Sequence, residues 1–202
     1  MKIKVGLLGI WIIFSSFYWN MDDKMVASAY IDRFAPLAIE EMHRAGIPAS
    51  IKLAQAMVES NMGRSVLASQ SNNHFGIKCK SYWKGQQFYH KDDDLDTKGR
   101  LIESCFRAYN DIESSFKDHS EFLKNSGKYD ILFSLDITDY KGWAWGLKSC
   151  GYATDNAYAL KLIQTIEDYK LYRYDTYQSV QFDLPVHNYL QSVSEPVQST
   201  ID

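Results

Sequence analysis

The chain has 202 residues, the size of one domain with short appendages. Its 22 basic and 25 acidic residues leave a net charge of −3, which argues against a nucleic-acid binder, since those carry a basic surplus. Hydrophobic content is 46%, ordinary for a globular protein, and the three cysteines, Cys79, Cys105 and Cys150, cannot all pair within one chain.

Residues 1–20 carry Lys2 and Lys4 ahead of an uncharged, mostly apolar run from Val5 to Trp19. That is the pattern of a secretory signal peptide, with a retained N-terminal anchor as the alternative. Between 28 and 45, Ile31, Phe34, Leu37, Ala38, Met42 and Ala45 recur at helical spacing. They predict an amphipathic helix that Pro36 either opens or kinks.

Gly46 and Pro48 punctuate the start of a second helix, whose residues are mostly apolar or small: Ile51, Leu53, Ala54, Ala56, Met57 and Val58. Glu59 lies near its end, and Gly63 marks the expected stop. By position alone Glu59 reads as a solvated surface residue. A buried carboxylate in such company is costly while ionised, so its cheaper state is protonated, the state that a general acid needs.

A short helix is expected over Ser65–Ala68. Asn72 and Asn73 then favour a turn and can offer amide groups to a ligand. His74 has no partner at metal-ligand spacing and reads as a packing or hydrogen-bonding residue; no metal or organic cofactor is implied. From 77 to 109 the chain turns aromatic and glycine-punctuated, with Tyr82, Trp83, Phe88 and Tyr89, which predicts strands and turns. The run Asp92-Asp93-Asp94 reads as a solvated turn and lacks the spacing of an EF-hand calcium loop.

Ser114 or Ser115 is expected to cap a helix running to Leu123. Trp143, Trp145 and Leu147 predict a helix or tight turn. Tyr158, Leu160, Leu162, Ile163 and Ile166 form the stripe of a last amphipathic helix. Residues 176–202 are polar, carry Pro185 and Pro196, and read as a tail.

The wording A-Q-A-M-V-E-S-x-M-G-R-S followed by S-N-N-H-F-G-I-K resembles the bacterial peptidoglycan N-acetylglucosaminidases of glycoside hydrolase family 73, of the flagellar-muramidase and autolysin type. The resemblance continues through W-x-G, C-F-R-x-Y, S-F-x-D-H and G-Y-A-T-D and covers roughly residues 30–175. It implies a mainly α, α+β fold: a lysozyme-like helical domain, 28–175, with a small β-hairpin lobe over the substrate groove. Glu59 then maps onto the catalytic acid. The second acid, usually a Glu in the β-lobe, falls nearest Asp93, with Asp92 and Asp94 as alternates.

Tyr152 maps onto a tyrosine lining the substrate site, and Asn73, Phe75, Trp83 and Tyr158 complete the expected groove lining, where rings stack on sugar faces and amides meet acetamido groups. The Asp118-His119 pair is structural in the family. A disulfide between Cys79 and Cys105 would staple the lobe in an oxidising compartment. The implied partner is the glycan strand of peptidoglycan, the implied protein an exported monomer without membrane contact beyond an N-terminal anchor. A lysozyme or lytic transglycosylase would also set a lone Glu at a helix end. A non-catalytic glycan-binding protein would keep the aromatic residues but not need Glu59.

Overall fold

A helix built mostly of apolar and small residues has little face to show to water, so it ends up in the middle of its domain. That is the position of α2, Ala49–Ser60, in the computed structural model. The described residues are 8–95 and 98–177, with side chains described from 22 to 91 and from 98 to 177. Every residue of α2 from Ala49 to Met57 is buried. Around it stand α1 (Leu8–Ala45), α5 (Tyr140–Ser149), α6 (Tyr158–Asp168) and a 3-10 segment, Leu171–Thr176. The remaining helices are α3 (Val66–Ser71) and α4 (Ile112–Lys124), followed by another 3-10 segment, Gly127–Ser134.

α1 runs straight through the predicted amphipathic segment, with Pro36 inside it rather than at its start. The proline removes one backbone donor. Burial of Phe34, Ala35, Ala38 and Ile39 on either side holds the helix together across that gap. The leader proposed for residues 1–20 lies outside the described side chains, and the tail lies outside the described residues from 178 on. Among the described residues no helix is long and apolar enough to cross a membrane.

α2 ends at Ser60, three residues before the expected stop at Gly63. Asn61, Met62 and Gly63 have φ of 50°, 55° and 79°, a left-handed turn that unwinds the chain in one step. Gly63 is needed for space as well, because a Cβ there would come within 3.3 Å of the Tyr30 ring. The N-terminus of α2 has no side-chain cap from Pro48. Its acceptor comes from the far end of the domain: the buried Asp175 carboxylate takes bonds from Ser50 N at 2.7 Å and Ser50 Oγ at 2.6 Å. α4 is capped by Asp111, whose Oδ1 accepts from Ser114 N at 2.7 Å. The cap therefore falls earlier than Ser114 or Ser115, since the upstream Asp111 carboxylate already satisfies the free N–H.

The lobe is one antiparallel hairpin, β1 (Gln87–Leu95) with β2 (Leu101–Arg107). Gln87 pairs with Arg107 and Lys91 with Glu103, and the register shifts between Lys91 and Leu95. On the other edge of β2, Cys79 N donates to Cys105 O at 2.7 Å and Arg107 N to Ile77 O at 2.9 Å. The Cys79–Cys105 disulfide lies on that edge, and Cys150 is a free, half-buried thiol.

Candidate active site

α2 delivers Glu59 in its last turn, where helix carbonyls point outward and disfavour a negative charge. The residue is half-buried. Burial raises its carboxyl above the usual range, opposed by a hydrogen bond from Tyr158 and by the charge of Lys161. Tyr158, at the start of α6, donates its hydroxyl to Glu59 Oε1 at 2.8 Å. The same hydroxyl accepts from Gln55 Nε2 at 3.1 Å. Because that bond occupies an acceptor lone pair of the phenol, the phenolic proton is directed at Glu59. Gln55 Oε1 is buried with no protein partner.

Tyr152 stacks on Tyr158 with ring centroids 5.6 Å apart and planes at 19°. Phe122 and Tyr129 support Tyr152 at 6.4 and 6.3 Å, and His119 meets it edge-on at 5.9 Å. Burial raises the hydroxyls of both Tyr152 and Tyr158 well above the ordinary phenol range, so each stays a neutral donor at any physiological pH.

The other expected site residues sit elsewhere. Asn73 and Phe75, expected in the groove lining, are in the interior. Asn73 is 1% exposed and its amide is fully engaged. It donates to Ile77 O (3.0 Å) and Arg107 O (2.8 Å) and accepts from Phe75 N (3.3 Å) and Ile77 N (3.1 Å). It brackets the loop to β2, leaving no amide atom for a sugar. Phe75 stacks on His119 at 4.0 Å and 12°. Trp83 is half-exposed, with its ring 4.6 Å from the Arg107 guanidinium and Nε1 donating to Gln86 O at 2.9 Å. A Cβ on Gly85 would overlap Cζ2 and Cε2 of Trp83, which is the steric reason for the glycine in W-x-G. Asp93 belongs to β1, on the stretch where the register shifts, and the side chains of Asp92, Asp93 and Asp94 lie outside those described.

Asp118 and His119 serve different neighbours. Asp118 takes Arg107 Nη1 at 2.9 and 2.8 Å and the Tyr109 hydroxyl at 2.6 Å. His119 accepts from the buried Lys52 ammonium at 2.8 Å. Lys52 also donates to Ser120 Oγ (2.6 Å) and Phe116 O (3.2 Å), and Ser120 in turn donates to Glu41. Burial drives the Lys52 pKa down to about 7 against the pull of Glu41. His74 meets the Tyr30 hydroxyl at 2.6 Å and is pushed down to about 4 by burial and then by Arg33. Among the described residues, no three His, Cys, Asp or Glu side chains gather as a metal-ligand set.

Gln55 and Lys52 carry weight that the sequence reading missed. The signal was there: 52, 55 and 59 fall at i, i+3 and i+7, one polar stripe on an otherwise apolar helix.

A family model described as mannosyl-glycoprotein endo-beta-N-acetylglucosaminidase matches residues 35–171. Exo-glucosaminidase LytG of Bacillus subtilis is 34% identical over 162 residues, which are 77% of this chain and 55% of LytG. Peptidoglycan hydrolase FlgJ of Pseudomonas aeruginosa is 32% identical over 157 residues, 74% of this chain and 39% of FlgJ. The chain thus spans about half the length of these curated relatives. Among solved structures, the catalytic domain of the autolysin Auto from Listeria monocytogenes has a TM-score of 0.61 at 27% identity, covering 78% of this chain and 96% of that one. The glycoside hydrolase domain of Salmonella typhimurium FlgJ has a TM-score of 0.57 at 28% identity, covering 71% and 88%. The helical body with its single hairpin, the Glu59 turn and the match over 35–171 have one reading: the chain belongs to the glucosaminidase family, glycoside hydrolase family 73.

Proposed function

We propose that this chain hydrolyses β-1,4 glycosidic bonds after N-acetylglucosamine in bacterial peptidoglycan, with Glu59 as general acid. One observation carries the reading: a carboxyl held half-buried at a helix end, its Oε1 occupied by the Tyr158 hydroxyl at 2.8 Å. With Oε1 engaged, Oε2 is the oxygen left to hold the acidic proton and hand it to the glycosidic oxygen. Tyr152, beside Tyr158, is the residue proposed to position the reacting sugar. The names of the relatives, exo-glucosaminidase and peptidoglycan hydrolase, support the substrate class. Cell-wall glycan lies outside the cytoplasm, which fits the leader pattern of residues 1–20 and an exported enzyme.

As the bond breaks, positive charge develops on the sugar and a second group must answer it. Asp93, with Asp92 and Asp94 as alternates, is proposed as base on a water. The substrate's own N-acetyl oxygen is the competing candidate, held in place by the protein. A carboxyl pair that admits a water stands about 6.5–9.5 Å apart, and a nucleophilic pair about 5–5.5 Å.

The test is Glu59→Gln. It is expected to abolish clearing of bacterial cell walls in a zymogram while circular dichroism stays that of the parent. Mass spectrometry of the digest should show N-acetylglucosamine at the new reducing ends. Muramic acid there would turn the assignment to a lysozyme or lytic transglycosylase. Undiminished clearing by the variant would refute the role of Glu59.

A further inference from the structure

A cleft of about 670 Å3 opens between the Tyr82–Trp83 turn and the C-terminal part of α4. It adjoins the candidate active site without belonging to it. Phe122 forms part of its wall and meets Tyr152 at 6.4 Å, Tyr152 stacks on Tyr158 at 5.6 Å, and Tyr158 bonds to Glu59. Lys128, on the rim, reaches Gly151 O at 3.5 Å, in the same loop as Tyr152.

The charges of this cleft do not cancel. Arg107 is neutralised by Asp118, and Glu121 shares the Arg44 guanidinium, at 2.6 Å, with Glu41. Lys80 and Lys128 remain, both exposed, and among the described residues neither forms an ion pair with a carboxylate. The Trp83 ring lines the same cleft, held by Arg107 and by the Gln86 carbonyl. An aromatic plane that shares a cleft with ammonium groups suits a flexible chain that carries carboxylates and short apolar side chains. It suits a stripped glycan less well, because the only charge left there is a lactyl carboxylate held close to the sugar ring.

Peptidoglycan has such a chain. Alternate sugars bear, through a lactyl ether, a short peptide with free carboxylates. We propose that the cleft between Trp83 and Phe122 binds this stem peptide, on a sugar next to the bond being cut, with Lys80 and Lys128 meeting its carboxylates. The inference rests on the reading of Glu59 as the acid that cuts peptidoglycan. The enzyme then selects stem-bearing stretches of glycan over stretches stripped by an amidase.

The experiment compares uncrosslinked peptidoglycan strands carrying stem peptides with the same strands after amidase removal of the stems. The full chain is expected to show a kcat/KM about fivefold or more higher on stem-bearing strands, falling with added salt, the size that a pair of exposed charges supports. In K80E that preference should fall at least twofold while the rate on stripped strands stays within about twofold of the parent. Equal rates on both substrates by the parent would overturn the proposal. So would a K80E that keeps the whole preference or is slowed equally on both. Binding is read separately, by calorimetry with Glu59→Gln: tighter binding of stem-bearing strands supports the cleft, and equal affinity refutes it. A parent chain that cuts neither substrate refutes the glucosaminidase reading, and the calorimetry still decides the cleft.

Discussion

Tyr158 is the residue on which the proposed acid, Glu59, depends. Its hydroxyl takes a bond from Gln55 at 3.1 Å and gives one to Glu59 at 2.8 Å. That donation favours the ionised carboxylate, while burial, the larger influence, favours the protonated one. A general acid works only below its own pKa. Removing the hydroxyl should therefore raise the pKa of Glu59 further and move the alkaline fall of the pH–rate profile to higher pH. Tyr158→Phe is expected to do so and to lower kcat about tenfold or more, as the proton loses its assigned oxygen; kcat measured from pH 4 to 9 checks both. Glu59 also carries a stability consequence of definite sign. Its folded-state pKa lies above the unfolded value, so ionisation opposes folding once the pH exceeds the ordinary carboxylate range. Glu59→Gln should melt higher than the parent at pH 8, and the gap should close near pH 4. A variant no more stable than the parent at pH 8 would contradict a strained acid. At this scale the sequence was legible as far as motifs that nominate candidates, Glu59 and Tyr152, which both lie against Tyr158. It was opaque where identical chemistry serves two ends. The amide of Asn73 looked available to a sugar, yet backbone groups of the same polarity lay closer and took it.

Among the elements, α2 decides most. It carries the acid at one end and takes its cap at the other from Asp175, a residue of the last 3-10 segment. Removing a side-chain cap of this kind costs about 1–2 kcal/mol. Asp175→Ala is expected to lose that amount in urea unfolding and to reduce activity as α2 frays. Loss of stability with unchanged kcat would separate the cap from the site. Helix positions were legible because apolar periodicity fixes them. Their ends were displaced by a few residues. Asp111 outranked Ser114 as the cap of α4, and Asn61 rather than Gly63 began the exit from α2. Long-range caps such as Asp175 leave no local signature, since the partner stands 125 residues away.

The described molecule is a helical body with a small lobe fastened to it by the Asn73 bracket and by the Arg107–Asp118 ion pair behind Trp83, and closed on itself by the Cys79–Cys105 bridge. With the two cysteines 26 positions apart, the bridge lowers the entropy of the unfolded chain by an amount worth about 3 kcal/mol. Cys79→Ser/Cys105→Ser should lose up to that much stability. It should lose proportionately more activity, because a loosened hairpin no longer holds β1, which carries the proposed base Asp93, in place; urea unfolding and wall-clearing assays on the same samples test it. The body itself is locked by a buried polar knot that joins α1 through Glu41, α2 through Lys52 and α4 through Ser120. Composition and motif order made the architecture readable before any coordinates. The knot was not readable, because one lysine among apolar neighbours looks like any solvated lysine until its surroundings close over it.

The bond between Ser50 and Asp175 also orders events in time. A chain emerging N-terminus first presents Glu59 while Asp175 is still behind it. Until residue 175 arrives, the first turn of α2 lacks its acceptor. The helix that carries Glu59 is therefore completed only by the last described segment of the domain.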